Sequence, residues 1–173
     1  MSESAEAMTA GLSAAECKEI DQWLARFPAT PEGRRSAIIP ALHIVQHNSD
    51  GWLPPARLDA VAEYLEMAPA RVYEVATFYG MFEVKPAGRH KVSICTNISC
   101  MLRGCDEIVA YAEKKLGISL GESTPDGRIM LKREEECLAA CSGAPMMQVD
   151  ETYHTDLTPK DRSNSRRAGV EPW

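Results

Sequence analysis

Five of the chain's six cysteines stand in two short segments, CTNISCMLRGC from Cys95 to Cys105 and ECLAACSGAP around Cys137 and Cys141. The spacing is Cys95-x4-Cys100-x4-Cys105 and then Cys137-x3-Cys141. Such a pattern admits a disulfide framework, a zinc site, an iron-sulfur cluster, or cysteine used as a small apolar core residue. The N-terminus, MSESAEAMTAGLSAAE, has neither the apolar h-region of a secretory signal nor an Arg-rich transit pattern, so the expectation is a protein kept in a bacterial-type cytoplasm. That compartment is reducing and disfavours structural disulfides.

Zinc knuckles usually use C-x2-C turns, because two intervening residues aim both sulfurs at one tetrahedral centre. Neither cysteine pair here has that spacing, and the closely repeated C-x2-C steps that announce a four-iron cluster are also missing. Gaps of four and three residues suit a binuclear centre in which each iron takes two thiolates, so a 2Fe-2S cluster is the best match. The hydrophobic pattern predicts a helix from Met101 to Leu116, and on a continuous helix Cys105 would point about 140° away from Cys100. The expected ligands are therefore Cys95, Cys100, Cys137 and Cys141, with Cys105 a structural helix residue. Zinc held by the same residues in a structural interaction module is the alternative from another class, and an all-core role for the four thiols is the blandest one.

The surroundings can offset the negative charge of such a centre. Cys100 falls where a helix begins, so free N–H groups face it, and Thr96, Asn97 and Ser99 can add hydrogen bonds. Gly104 and Gly143 allow close backbone approach, and Pro145 fixes the exit into a strand.

These loops need elements to hold them. Lys91-Val92-Ser93-Ile94 reads as a buried strand ending at Cys95; Arg128–Lys132 and Met146–Val149 read as two more, and Tyr153-His154 as a short fourth. Both thiol pairs thus follow strands. Upstream the pattern is helical. Ser13-Ala14-Ala15-Glu16 fits a capping box, followed by a stripe of Cys17, Ile20, Trp23, Leu24 and Phe27. A second helix is expected over Glu32–Asn48 with Ile38, Leu42 and Val45 inward and Pro40 kinking it or lying in its early turns. A third carries Leu58, Val61, Ala62 and Leu65, and a fourth runs from Pro69 to about Tyr79.

The chain of 173 residues has 45% apolar and 25% charged residues, and is long enough to bury roughly 70% of its unfolded surface. Its net charge of −6 and scattered basic residues argue against nucleic acid, and no apolar run approaches a membrane span, so direct membrane insertion is not expected. His43 and His47 stand four apart, but HIVQH lacks the glutamate of a zinc peptidase and reads as surface histidine. Glu134-Glu135-Glu136 reads as a solvated turn, and Met146-Met147 as strand core. No GxGxxG, GxxxxGK[ST] or GxSxG motif is present, so the chain lacks its own nucleotide or flavin site and its chemistry must occur on a partner. A partner implies an exposed apolar patch, for which Trp52, Phe78, Tyr79 and Phe82 are candidates.

The segments RSAIIPALHIVQ, EVATFYGMF, SICTNISCMLRG, KKLGISLGESTPDG, ECLAACSGAPMMQVD and YHTDLTP together resemble the family of E subunits of bacterial NADH:quinone oxidoreductase, respiratory complex I. The same module is similar to small subunits of NAD-dependent formate dehydrogenases and NAD-reducing hydrogenases. The resemblance implies an α+β fold, with an N-terminal helical bundle followed by a thioredoxin-like 2Fe-2S ferredoxin domain. It implies one 2Fe-2S cluster on Cys95, Cys100, Cys137 and Cys141, lying next to the FMN of a flavoprotein subunit that also binds NADH, among the peripheral-arm subunits on the cytoplasmic face of the inner membrane. The corresponding division is a disordered N-terminus over 1–12, a helical bundle over 13–82, the cluster domain over 88–158 and a tail over 159–173. That tail departs from the family, where LTP opens a final amphipathic helix; here a polar sequence without helical periodicity follows.

Overall fold

The computed structural model describes residues 11–134 and 137–159. The expected disorder of the first residues falls mostly on 1–10, and the atypical tail on 160–173, both outside the described residues, as are Glu135 and Glu136. The chain divides into two compact units, Met1–Pro86 and Ala87–Trp173.

The first unit is helical: α1 (Ala14–Leu24), α2 (Pro31–Ser36), α3 (Ile38–His47), α4 (Pro55–Tyr64) and α5 (Pro69–Phe78). Prolines at the starts of α2, α4 and α5 occupy first-turn positions whose N–H has no partner in any helix. The segment expected as one helix over Glu32–Asn48 is two, joined at Ala37. Pro40 lies in the first turn of α3, where it leaves the hydrogen-bond ladder intact. Ile20, Leu42, Val45, Leu58, Val61, Leu65 and Val72 form the buried centre. The α1 stripe is narrower than its periodicity suggests. Cys17 is only half-buried, and Trp23 is exposed with the Arg26 guanidinium 4.2 Å from its ring centroid.

In their place α1 turns a carboxylate inward. The capping box forms: the Ser13 N–H donates to Glu16 at 2.7 Å, and the Ser13 hydroxyl accepts from the Glu16 N–H at 3.3 Å. Glu16 also pairs with Arg57 of α4, both side chains being buried, while Arg57 donates to the Ser49 hydroxyl at 3.1 Å and the Gly11 carbonyl at 2.7 Å. Burial alone would raise the Glu16 carboxyl, but the Ser13 N–H and hydroxyl and then the Arg57 charge outweigh it, holding the group below its ordinary 4.5.

The second unit is a four-stranded sheet in the order β2-β1-β3-β4, built from β1 (His90–Cys95), β2 (Ile129–Glu134), β3 (Met147–Val149) and β4 (Thr152–His154). β1 and β2 are parallel, with Cys95 opposite Glu134; β3 runs antiparallel to β1, and β3 and β4 form a hairpin. A parallel pair needs a crossover, which here contains α6 (Ile98–Leu102) and α7 (Cys105–Leu116). Helix α7 buries Ile108 and Ala112 with Val92, Ile94, Ile129, Leu131 and Val149 of the sheet. Its charges suit its dipole, with Asp106 and Glu107 in the first turn and Lys114 and Lys115 in the last, and Gly117 closes it in the left-handed conformation. The expected α+β architecture is the one present.

Removing Arg57 leaves a buried carboxylate without its counter-charge, so Arg57→Ala is expected to cost about 3–5 kcal/mol in denaturant unfolding of the helical unit. Because Glu16 is held below its ordinary value, its contribution is present above about pH 4.5 and lost as pH falls through the folded value. Glu16→Gln should flatten that acid limb, and a variant with the wild-type acid profile would show that the pair carries no such linkage.

Candidate metal centre

Strand β1 ends on Cys95, whose N–H donates to the Met146 carbonyl at 3.2 Å. The turn after it is closed by Asn97, whose side-chain oxygen accepts the Ile98 N–H at 2.9 Å and so caps α6. Cys100 follows in α6. The helix then stops at Arg103, and Gly104 takes φ 84°, a left-handed backbone that costs glycine little. Cys105 opens the next helix, α7.

This break corrects the single helix expected over Met101–Leu116. With two helices in place of one, the 140° separation disappears, and Cys95, Cys100 and Cys105 are buried together with Ala144 and Met146. The Cys105 thiol lies 3.9 Å from the Asp106 carboxylate. Burial, hydrogen bonding with Cys95 and the neighbouring sulfurs push the Cys100 thiol up to about 11, against an opposing backbone hydrogen bond from Met146. A metal at Cys100 must displace a tightly held proton, so affinity there falls as pH falls.

The second pair sits on the surface. Cys137 and Cys141 are exposed, with their sulfurs 3.2 Å apart, and the Ala139 N–H donates to the Cys137 sulfur at 3.4 Å. Cys141–Gly143 is a single 3-10 turn leading towards β3. The segment after β4 holds this turn in place: the Asp156 N–H donates to the Gly143 carbonyl at 2.7 Å and the Leu157 N–H to the Pro145 carbonyl at 3.0 Å. A Cβ on Gly143 would meet the Thr155 Cβ at 2.5 Å, which explains the glycine there.

The two loops meet. Leu138 and Ala140, which flank and separate the second pair of cysteines, pack against the buried cluster of Cys95, Cys100 and Cys105. Parallel pairing of β1 and β2 sends both thiol loops from the same end of the sheet. Among the described residues no group of three or more His, Cys, Asp or Glu is placed to hold a metal ion; in these two loops three thiols, Cys95, Cys100 and Cys105, are buried and two, Cys137 and Cys141, are exposed. Soft donors arranged two and two fit a centre of two metal ions, each with two protein thiolates.

The other candidates fall elsewhere. His43 and His47 are exposed, and His43 contacts the Met81 sulfur at 3.2 Å with its ring 4.9 Å from that of Phe82. In the aromatic set, Phe78 is 77% exposed and Tyr79 38%, but Phe82 is buried at 5% and Trp52 is half-buried, so only the first two are surface residues. Met146 and Met147 are buried, as expected of strand core. Two features lie outside what the sequence led us to expect. One is Cys105 beside the buried pair; the other is an apolar surface on α6 beside the thiols, where Ile98, Met101 and Leu102 are exposed. The i, i+3, i+4 spacing of those three was the available signal, but it reads equally well as a core-facing stripe.

A small mixed sheet with two cysteine-bearing loops at one end defines the class: an α/β domain that brings cysteine pairs together at that end of its sheet. The family model described as thioredoxin-like [2Fe-2S] ferredoxin matches residues 20–165, and the chain belongs to that family. It is 48% identical over 130 residues to the E subunit of the NADH-quinone oxidoreductase of Rickettsia bellii, covering 75% of this chain and 77% of that one. It is 40% identical over 146 residues to the mitochondrial NADH dehydrogenase [ubiquinone] flavoprotein 2 of Dictyostelium discoideum, covering 84% of this chain and 58% of that one. Among solved structures, an NAD+-reducing [NiFe]-hydrogenase in the air-oxidized state shares the fold with a TM-score of 0.56 and 16% identity over 79% of this chain. The match spans only 21% of the hydrogenase chain.

In the cluster-free native chain, iodoacetamide should modify Cys137 and Cys141 and spare Cys95, Cys100 and Cys105 until denaturant is added, as read by peptide mass mapping. Equal labelling of Cys100 and Cys137 in the native state would contradict the burial described.

Proposed function

We propose that this protein is the electron-transfer subunit of an NADH:quinone oxidoreductase, with one 2Fe-2S cluster held by Cys95, Cys100, Cys137 and Cys141. The observation that carries the reading is the meeting of two thiol-pair loops at one end of the sheet, in a chain 48% identical to the E subunit of an NADH-quinone oxidoreductase. Cys95 and Cys100 supply the dry side of the centre and Cys137 and Cys141 its solvent-facing side. When bound, the cluster supplies reversible storage of a single electron.

The chain's own residues set the conditions for that storage. Burial of Cys95 and Cys100 beneath Met146 and Ala144 excludes water from one pair of sulfurs. The Ala139 N–H already donates to the Cys137 sulfur and would do the same to a metal-bound sulfur there. Ile98, Met101 and Leu102 offer an apolar surface beside the site for a partner. That partner is the flavoprotein subunit carrying FMN and NADH, placed among the peripheral-arm subunits of the complex. No helix among the described residues is long and apolar enough to cross a membrane. Attachment to the cytoplasmic face of the inner membrane is then through the complex.

Purified protein should contain two irons and two acid-labile sulfides per chain and give a paramagnetic signal on reduction. Serine at Cys95, Cys100, Cys137 or Cys141 should abolish or reshape that signal, while Cys105→Ser retains both irons; loss of iron in Cys105→Ser would overturn the ligand assignment. Affinity purification from native membranes should recover an FMN-containing, NADH-oxidising subunit. Recovery with a formate dehydrogenase or hydrogenase instead would reassign the parent complex, and zinc in place of iron would reassign the centre.

A further inference from the structure

The four proposed ligands differ in exposure to solvent. Cys95 and Cys100 are each 1% exposed and Cys105 is fully buried, all three packed in one cluster with Ala144 and Met146. Cys137 and Cys141 are exposed, and their sulfurs lie 3.2 Å apart on a short surface loop. A disulfide needs sulfurs about 2.05 Å apart, so closure asks for roughly 1 Å of movement in that loop. Small polar oxidants reach this pair before the buried thiols because this pair meets solvent.

We infer that Cys137 and Cys141 are a site of reversible oxidative modification, which a hydroperoxide closes to a disulfide whenever the chain carries no cluster. The inference rests on the reading of these two residues as ligands. In the first step a sulfur of the pair attacks one peroxide oxygen, the O–O bond breaks, and a sulfenic acid and one water form. In the second, the neighbouring sulfur displaces the hydroxyl, the S–S bond forms, and a second water leaves. Two thiols are oxidised by two electrons and one hydrogen peroxide is reduced to two waters. Both solvent-side ligands are then occupied, so iron cannot enter until a dithiol reductant reopens the loop. The exposed pair thus makes cluster insertion sensitive to peroxide, and the bond protects these sulfurs from irreversible over-oxidation in the meantime.

The test uses the full-length chain, freed of metal and treated with hydrogen peroxide. The expected product has lost two hydrogens, with a Cys137–Cys141 link found by peptide mapping, and Cys137→Ser does not form it. Treated chain should take up no iron from ferrous iron and sulfide, and dithiothreitol should restore uptake. A link between other cysteines, sulfinic acid without a link, or undiminished iron uptake by the treated chain overturns the inference. Untreated, reduced chain is reconstituted in parallel: if it forms no two-iron centre, the ligand reading itself fails, whatever the peroxide result.

Discussion

Parallel pairing of β1 with β2 is the constraint on which the rest of the second unit depends. The two strands run the same way in register, with Cys95 opposite Glu134, so the chain leaves both at the same end of the sheet. Were β2 antiparallel to β1, the loop bearing Cys137 and Cys141 would leave the opposite end. Parallel pairing in turn needs a crossover long enough to return the chain, and α7 provides it by burying Ile108 and Ala112 against the sheet. The antiparallel β3 completes the arrangement, because the turn entering it carries Cys141 while the Met146 carbonyl just before it accepts from Cys95.

The site built on this frame is asymmetric in solvation. One pair of thiols, Cys95 and Cys100, is buried with Ala144 and Met146, and that burial raises the Cys100 thiol above its ordinary value. The other pair is open to water and lies on a loop held from one side by backbone hydrogen bonds to Gly143 and Pro145. A buried half suits a stable anchor for the centre, and an open half suits traffic in metal and oxidants.

Much of this was legible in the residues. The inward stripes of α3 and α4, the Ser13–Glu16 capping box and the strand ending on Cys95 all follow from local rules, and all are present. The errors share a physical origin. Hydrophobic periodicity runs through Met101–Leu116 without a gap, so it could not register that Gly104 in a left-handed conformation divides the helix and turns Cys105 inward. The division at Ala37 escaped for the same reason, since that residue keeps helical dihedral angles. Burial of Arg57, half-burial of Cys17 and enclosure of Phe82 depend on which neighbouring helix covers each residue. That is tertiary information which a stripe on one helix does not contain. At the site, spacing grouped the thiols into pairs but could not say which pair faced water.

The central claim is that both thiol pairs serve one binuclear centre, and iron X-ray absorption on the reconstituted full-length protein tests it most directly. The account predicts a first shell of sulfur alone around each iron together with an iron–iron scattering shell, both lost when either thiol pair is replaced by serine. Nitrogen or oxygen in the first shell of the wild-type protein, or iron without an iron neighbour, would contradict it.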